Sequence, residues 1–255
     1  MGSCYGESIM SDEKRIVNDL VVLGNAVPDL ISDQRITVCT VGYSQTLGLI
    51  RIYPVPPSSY MKRWNIVEIP LDRNPRDNRQ ESWKIQGSRS EWDHLSEKIR
   101  LRGEVPNRNR PSFVEQLHEN FGAGCVEDFN DMQVSLGMIR PQIIDCRLEE
   151  REDYEPLAQT QLGRFHPFLT IKNYRLKPVI EYKCPKCRVK RSHNQQVVEW
   201  GVFEWFRQHA NEPEKVWENL RLTDADYERS FLVGNMVLHR NSFMVVSLFR
   251  FKRNS

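Results

Sequence analysis

The sequence predicts an α+β protein with a small N-terminal antiparallel sheet or half-barrel, a helical middle, and a C-terminal α+β part carrying a Cys-x-x-Cys turn. Three observations point there. Runs rich in β-branched residues cluster early, at 35–42, 48–55 and 64–71. Short stripes with helical spacing follow at 90–102 and 111–121. Beyond residue 150, strand-like runs and helical stripes alternate around Cys-Pro-Lys-Cys.

Taken in order, residues 12–30 show a weak helical pattern, with Ile16, Leu20 and Val21 on one side and Pro28 as its limit. The runs RITVCTVG and GLIRIYPV are separated by Ser-Gln-Thr-Leu, which predicts a hairpin. WNIVEIPL predicts a third strand, and three adjacent strands need a further layer to bury a face. Ser90 is placed to cap a helix over 90–102, with acids in its first turn and Arg100 and Arg102 in its last. Phe113, Leu117 and Phe121 share one face of a helix over 111–121, which Gly122 and Gly124 end. Residues 138–148 read as a strand starting near an edge because of Pro141. Strands are expected at 165–171 and 177–183, and helices at 195–210 and 213–220. Two strands, joined around His-Arg-Asn, close the chain. The acidic segment 149–155 suggests a boundary near residue 150, dividing the chain into 1–150 and 151–255.

With 39% hydrophobic and 27% charged residues, the 255-residue chain has the composition of a globular protein with a core of its own. No apolar run approaches the roughly 18 residues needed to span a bilayer, so no membrane partner is expected. The N-terminus lacks the basic start and apolar stretch of a secretory signal. Six cysteines in that context read as reduced thiols in a cytoplasmic protein. Cys39 and Cys146 lie in apolar runs as buried thiols, and Cys125, after Gly-Ala-Gly, reads as a loop residue. Walker, dinucleotide-binding, nucleophile-elbow and His-Glu-x-x-His motifs are absent, which disfavours those chemistries.

The most informative stretch is 172–193, with eight basic residues against one acid. Lys172, Arg175, Lys177, Lys183, Lys186, Arg188, Lys190 and Arg191 can neutralise phosphates, and Tyr174 and Tyr182 can stack on bases. Within it, Cys184 and Cys187 present two thiolates from a tight turn. His193 offers a third ligand, and His166, His239 or Cys146 a distant fourth, for a structural zinc. Two reduced thiols, or a redox dithiol, are the alternatives. Glu181-x-Lys183 with Asp145 or Asp153 upstream matches the pattern by which magnesium-dependent PD-(D/E)xK nucleases hold metal and activate water. The polar loop with Arg73, Arg76, Arg79, Asp77 and Glu81 offers a further ligand or subunit patch.

Three segments, VCTVG…LIRIYPVP (38–56), DNRQESW (77–83) and CPKC…H…VEW…FLVGNM…HRNSFMVV (184–246), resemble an uncharacterised family of small prokaryotic proteins. That resemblance implies an accessory part of a mobile-element or antiviral defence locus and brings no established activity. Where the family pattern carries Gly-His after the second cysteine, this chain has Ser192–His193. The expectation is a non-catalytic protein that binds RNA or DNA within a larger assembly. The alternatives are the nuclease and a protein-interaction scaffold presenting Trp200, Trp205 and Trp217.

Overall fold

The computed structural model describes residues 14–32, 35–58, 60–156 and 169–253. Its N-terminal part is a closed barrel, where a half-barrel was one of two expectations. The strands are β1 (Lys14–Asn25), β2 (Asp29–Ser32), β3 (Arg35–Ser44), β4 (Gly48–Val55), β5 (Asn65–Arg73), β6 (Ser82–Ile85) and β7 (Arg100–Glu104). The barrel order is β1-β3-β4-β6-β5, and β1 pairs back onto β5 to close it. β6 enters parallel to β4 and antiparallel to β5, so the last barrel strand sits between its two predecessors. β2 and β7 are appended to β3 and β5.

β1 replaces the helix expected over 12–30. Leu20, Val21, Val22 and Leu23 are consecutively buried, because one side of β1 lines the barrel while the other meets the C-terminal part. A continuous apolar run buried on both faces suits a strand and masks its period. Irregularities at Val17/Leu20 and Val22/Gly24 bend the strand so that it can serve both β3 and β5. Ile50, Ile52, Val67, Ile69, Leu71, Trp83 and Ile85 fill the barrel.

The segment expected as a helix over 90–102 is a 310 segment, Arg89–Lys98, capped by Ser88 with Glu91 rather than by Ser90. Its stripe is short, and Arg100 and Arg102 belong to β7, where both reach Glu68. Helix α1 (Arg110–Phe121) forms close to its expected place and buries Val114 and Leu117. After it come α2 (Asp128–Asp131), β8 (Leu136–Ile139) and β9 (Gln142–Glu150). Pro141 separates the last two.

The C-terminal elements are β10 (Leu176–Lys183), β11 (His193–Gln196), α3 (Trp200–Gln208), α4 (Val216–Leu220), β12 (Tyr227–Met236) and β13 (His239–Lys252). α3 is shorter than expected because residues 193–196 are a strand. Residues 165–168 of an expected strand lie outside the described residues, and Ile171–Asn173 is a 310 turn. The strands make two small sheets, β11-β10-β9 and β13-β12-β8, joined by a bridge between Val197 and Val245. The boundary expected near residue 150 thus falls between β9 and β10, which pair with each other.

The two parts share a core. Val21, Leu23, Val41 and Leu49 of the barrel meet Leu136, Met138, Leu232 and Val246 across it. A polar latch sits beside this seam. Arg51, 5% exposed, donates to the carbonyls of Asn235 (2.6 Å) and Ser135 (2.7 Å) and to the Ser135 hydroxyl (3.1 Å). Glu81 accepts from Ser135 N–H (2.9 Å) and hydroxyl (3.1 Å). The polar loop expected as a ligand or subunit patch therefore works inside the molecule. Asp77 takes Arg79 and Ser82, and Arg73 lies over Trp83 at 4.3 Å.

Candidate metal centre

The metal-type site is assembled by three segments. Beyond α1, the chain turns at Gly122 and runs beside β8, with Ala123 N–H donating to Met138 O. This carries Gly124 and Cys125 into the C-terminal core, where Cys125 is fully buried. Asp128 Oδ2 accepts the Cys125 N–H at 2.8 Å and holds the turn into α2. From the other side, β10 ends at Lys183 and the knuckle Cys184–Cys187 follows. Lys186 N–H donates to Gly124 O at 3.0 Å. A Cβ on Gly124 would lie 3.0 Å from Lys186 Cβ, a tight contact that glycine avoids where the two segments pass. His193 opens β11 opposite Tyr182, which returns its ring to the knuckle.

Cys125, Cys184, Cys187 and His193 bring one ligand atom each to within 4.8 Å of all the others. His193 Nε2 lies 3.5 Å from Cys125 Sγ and 3.3 Å from Cys187 Sγ. A tetrahedral zinc with Zn–S near 2.3 Å and Zn–N near 2.0 Å would set ligand–ligand edges of about 3.5–3.8 Å, so this donor set can close on one ion. Arg188 N–H points at Cys125 Sγ at 3.4 Å, and Val126 N–H is directed at Cys184. Such donors favour thiolates. Burial, reinforced by the neighbouring thiols, pushes Cys184 up to about 12, so that thiol holds its proton until a cation displaces it. Burial lowers His193, keeping the imidazole in its neutral, ligating form, while Glu127 opposes that shift. Glu127 Oε1 faces the other ring nitrogen, Nδ1, at 4.0 Å.

The sequence reading placed Cys184, Cys187 and His193 together and missed Cys125. The signal was the cysteine after Gly-Ala-Gly, but it lies 68 positions from His193, and no spacing rule joins them. Of the three expected fourth ligands, Cys146 sits opposite Ile180 on the core side of β9, its thiol pushed up to about 12 by burial. His239 begins β13 on the surface, and His166 lies outside the described residues. None of them joins the cluster among the described residues.

The basic stretch divides in two. Lys172 pairs with Glu155, Arg175 with Glu150, and Lys177 with Glu149. Arg188 pairs with Asp128 and Asp131, tying the knuckle to α2. Lys183, Lys186, Lys190 and Arg191 are exposed and have no acidic partner among the described residues. Lys183 ends β10 at the entry to the knuckle, and Lys186, Lys190 and Arg191 lie on the knuckle and its return to β11. Tyr174 and Tyr182 are corrections, because at 4% and 0% exposure neither can stack on a base. Tyr174 packs edge-on to Phe203 and donates to Glu204 (3.2 Å). Tyr182 packs on Phe231 and donates to Gln195 (2.8 Å).

Asp145 and Glu181 do face each other across β9 and β10. Arg147 lies with both, 3.7 Å from Asp145 and 3.6 Å from Glu181, and donates to Glu149 at 3.0 Å. The carboxylates of the nuclease reading are thus already paired with a guanidinium. Asp153, the other candidate acid, pairs with Arg151. Trp205 stacks on His209 at 3.8 Å near the end of α3, and Trp200, Trp205 and Trp217 are each partly buried.

Fold and site together define a two-part α+β protein: a closed five-strand barrel fused to a C-terminal part built around a Cys3His cluster. Residues 17–115 match a domain of unknown function (DUF8758). The chain belongs to the family described as a domain of unknown function (DUF8757), which spans residues 123–255 and includes all four cluster residues. A comparison with curated proteins gives no match. No helix among the described residues is long and apolar enough to cross a membrane.

Proposed function

We propose that this protein binds zinc at Cys125, Cys184, Cys187 and His193 and uses the braced knuckle to bind RNA or DNA as a non-catalytic part of a larger assembly. One observation carries the reading: among the described residues, the cations of the basic stretch that lack an acidic partner gather at the loop the cluster holds, Lys183 at its entry and Lys186, Lys190 and Arg191 within it. An ammonium already paired within the chain has little to gain from a phosphate, whereas Lys183, Lys186, Lys190 and Arg191 release counterions on meeting one. The donor set favours zinc among the common ions because thiolate and imidazole ligands in a closed tetrahedron suit it.

The barrel supports the reading by analogy of fold alone. Greek-key five-strand barrels include OB-folds, which bind oligonucleotides on the outer face of their second and third strands. The equivalent face here is on β3 and β4, and the C-terminal part covers Val41, Leu49 and Arg51. Contact with nucleic acid then falls to the knuckle. Setting within a mobile-element or defence assembly follows from the family resemblance described above.

The test is gel-shift titration across salt concentration, alongside metal analysis of the purified protein. Four phosphate contacts give a slope of about −3.6 in log K against log salt on duplex DNA. Lys186→Glu, Lys190→Glu and Arg191→Glu together reduce its magnitude by about 2.7. A slope unchanged by the triple substitution overturns the reading.

A further inference from the structure

The tip of the β12–β13 hairpin is built from exposed apolar side chains. Met236 pairs with His239, leaving Val237 and Leu238 as a two-residue connection. Neither residue has a positive φ, so the turn does not call for the glycine, asparagine or aspartate of a primed hairpin and leaves the apex open to apolar side chains. Here Met236, Val237 and Leu238 are 44%, 38% and 85% exposed, three consecutive apolar side chains at an apex. An isolated exposed leucine needs no explanation, but a contiguous apolar apex does.

The base of this tip is held unusually firmly. Asn235 donates its N–H to Ser135 O (3.1 Å), and its carbonyl accepts both Arg51 and Arg79 (2.6 Å each). Its side chain accepts Arg79 (3.0 Å) and donates to Arg240 O (2.5 Å). The latch between the two parts therefore also fixes the root of the hairpin. From Arg229 to Arg253 the chain contains no acidic residue, and His239 and Arg240 stand exposed directly after the apex. An apolar point on a rigid root with the exposed Arg240 guanidinium beside it suits insertion between stacked bases, with that cation meeting a flanking phosphate.

We infer that Leu238, with Met236, is a wedge that unstacks bases of a bound polynucleotide. The inference rests on the nucleic-acid reading above and adds a second contact that the knuckle does not supply. The experiment uses the full-length zinc-loaded protein with short duplexes and single strands carrying 2-aminopurine at successive steps. Affinity and fluorescence are followed together. Wild-type protein raises the fluorescence at one or two adjacent steps. Leu238→Ser abolishes the rise and weakens binding about tenfold, the loss of one apolar side chain's burial between bases. Leu238→Met retains the rise. Lys186→Glu with Lys190→Glu lowers affinity and salt dependence but preserves the rise at saturation.

Binding without any fluorescence change, or a rise that survives Leu238→Ser, overturns the wedge and leaves the knuckle reading standing. Absence of binding to every strand overturns both. Phosphatidylserine vesicles form the last arm: if Leu238→Ser abolishes vesicle binding and leaves oligonucleotide binding unaltered, the tip is a lipid contact and the wedge is wrong.

Discussion

Cys125→Ser tests whether the cluster works as a metal clip. In the folded protein, one ion would join Cys125 to Cys184, Cys187 and His193 and so close a loop of about 60 residues. Treated as a cross-link, closure of that length removes enough unfolded-chain entropy to stabilise the native state by about 4 kcal/mol. For a chain of this size each kcal/mol moves the melting temperature by about 2–4 °C, so the expected loss is about 8–16 °C. The assay is differential scanning calorimetry of wild type and variant, each loaded with zinc and each stripped with a chelator. The difference should appear with zinc and largely vanish without it. Cys146→Ser serves as the control, because Cys146 lies on the core side of β9 outside the cluster. Equal melting of wild type and Cys125→Ser in zinc, or an equal zinc response from Cys146→Ser, would refute the clip.

Two further outcomes follow from the same geometry. Arg51→Met removes two charge-assisted bonds to carbonyls and one to a hydroxyl, offset by no longer burying a guanidinium whose Nε has no partner. The expected cost is about 2–4 kcal/mol in urea unfolding, and a neutral result would mean that the seam is held by apolar packing alone. His118, bonded to Ser230 at 2.8 Å, is lowered from 6.5 to about 4 by burial and then by Arg140. Its folded pKa is depressed, so the unfolded chain binds the extra proton first. Stability is complete above pH 6.5, declines as the pH falls towards 4, and is flat below that for this group. Allowing for partial solvent screening, the loss is about 2 kcal/mol, and His118→Gln should remove it from the pH profile of unfolding.

Where one face of an element is buried and the other is wet, its period could be read directly. That is the case for α1, where Leu117 of the expected Phe113, Leu117 and Phe121 face is buried, with Val114 beside it. β1 defeated the same reading because it is buried on both sides. The 310 segment Arg89–Lys98 defeated it differently: one buried leucine is too little to distinguish a tight turn from an α-helix. Tyr174 and Tyr182 looked available for stacking because aromatic residues between lysines read as surface. Alternation instead turned Tyr182 inward while its charged neighbours faced solvent.

By itself, the sequence determined the α+β class, the strand-rich start, the knuckle Cys184–Cys187 with His193, and the surplus of positive charge around it. These are local properties, set by side-chain period, turn chemistry and charge along neighbouring residues. Closure of the barrel, the burial of Arg51, the recruitment of Cys125 and the division of the cations into paired and unpaired were decided only in three dimensions. Each depends on which distant segments pack together. A cysteine after two glycines carries no mark of its role until β8 draws its loop beside the knuckle. Lysines of identical type differ only in whether the fold sets a carboxylate within reach.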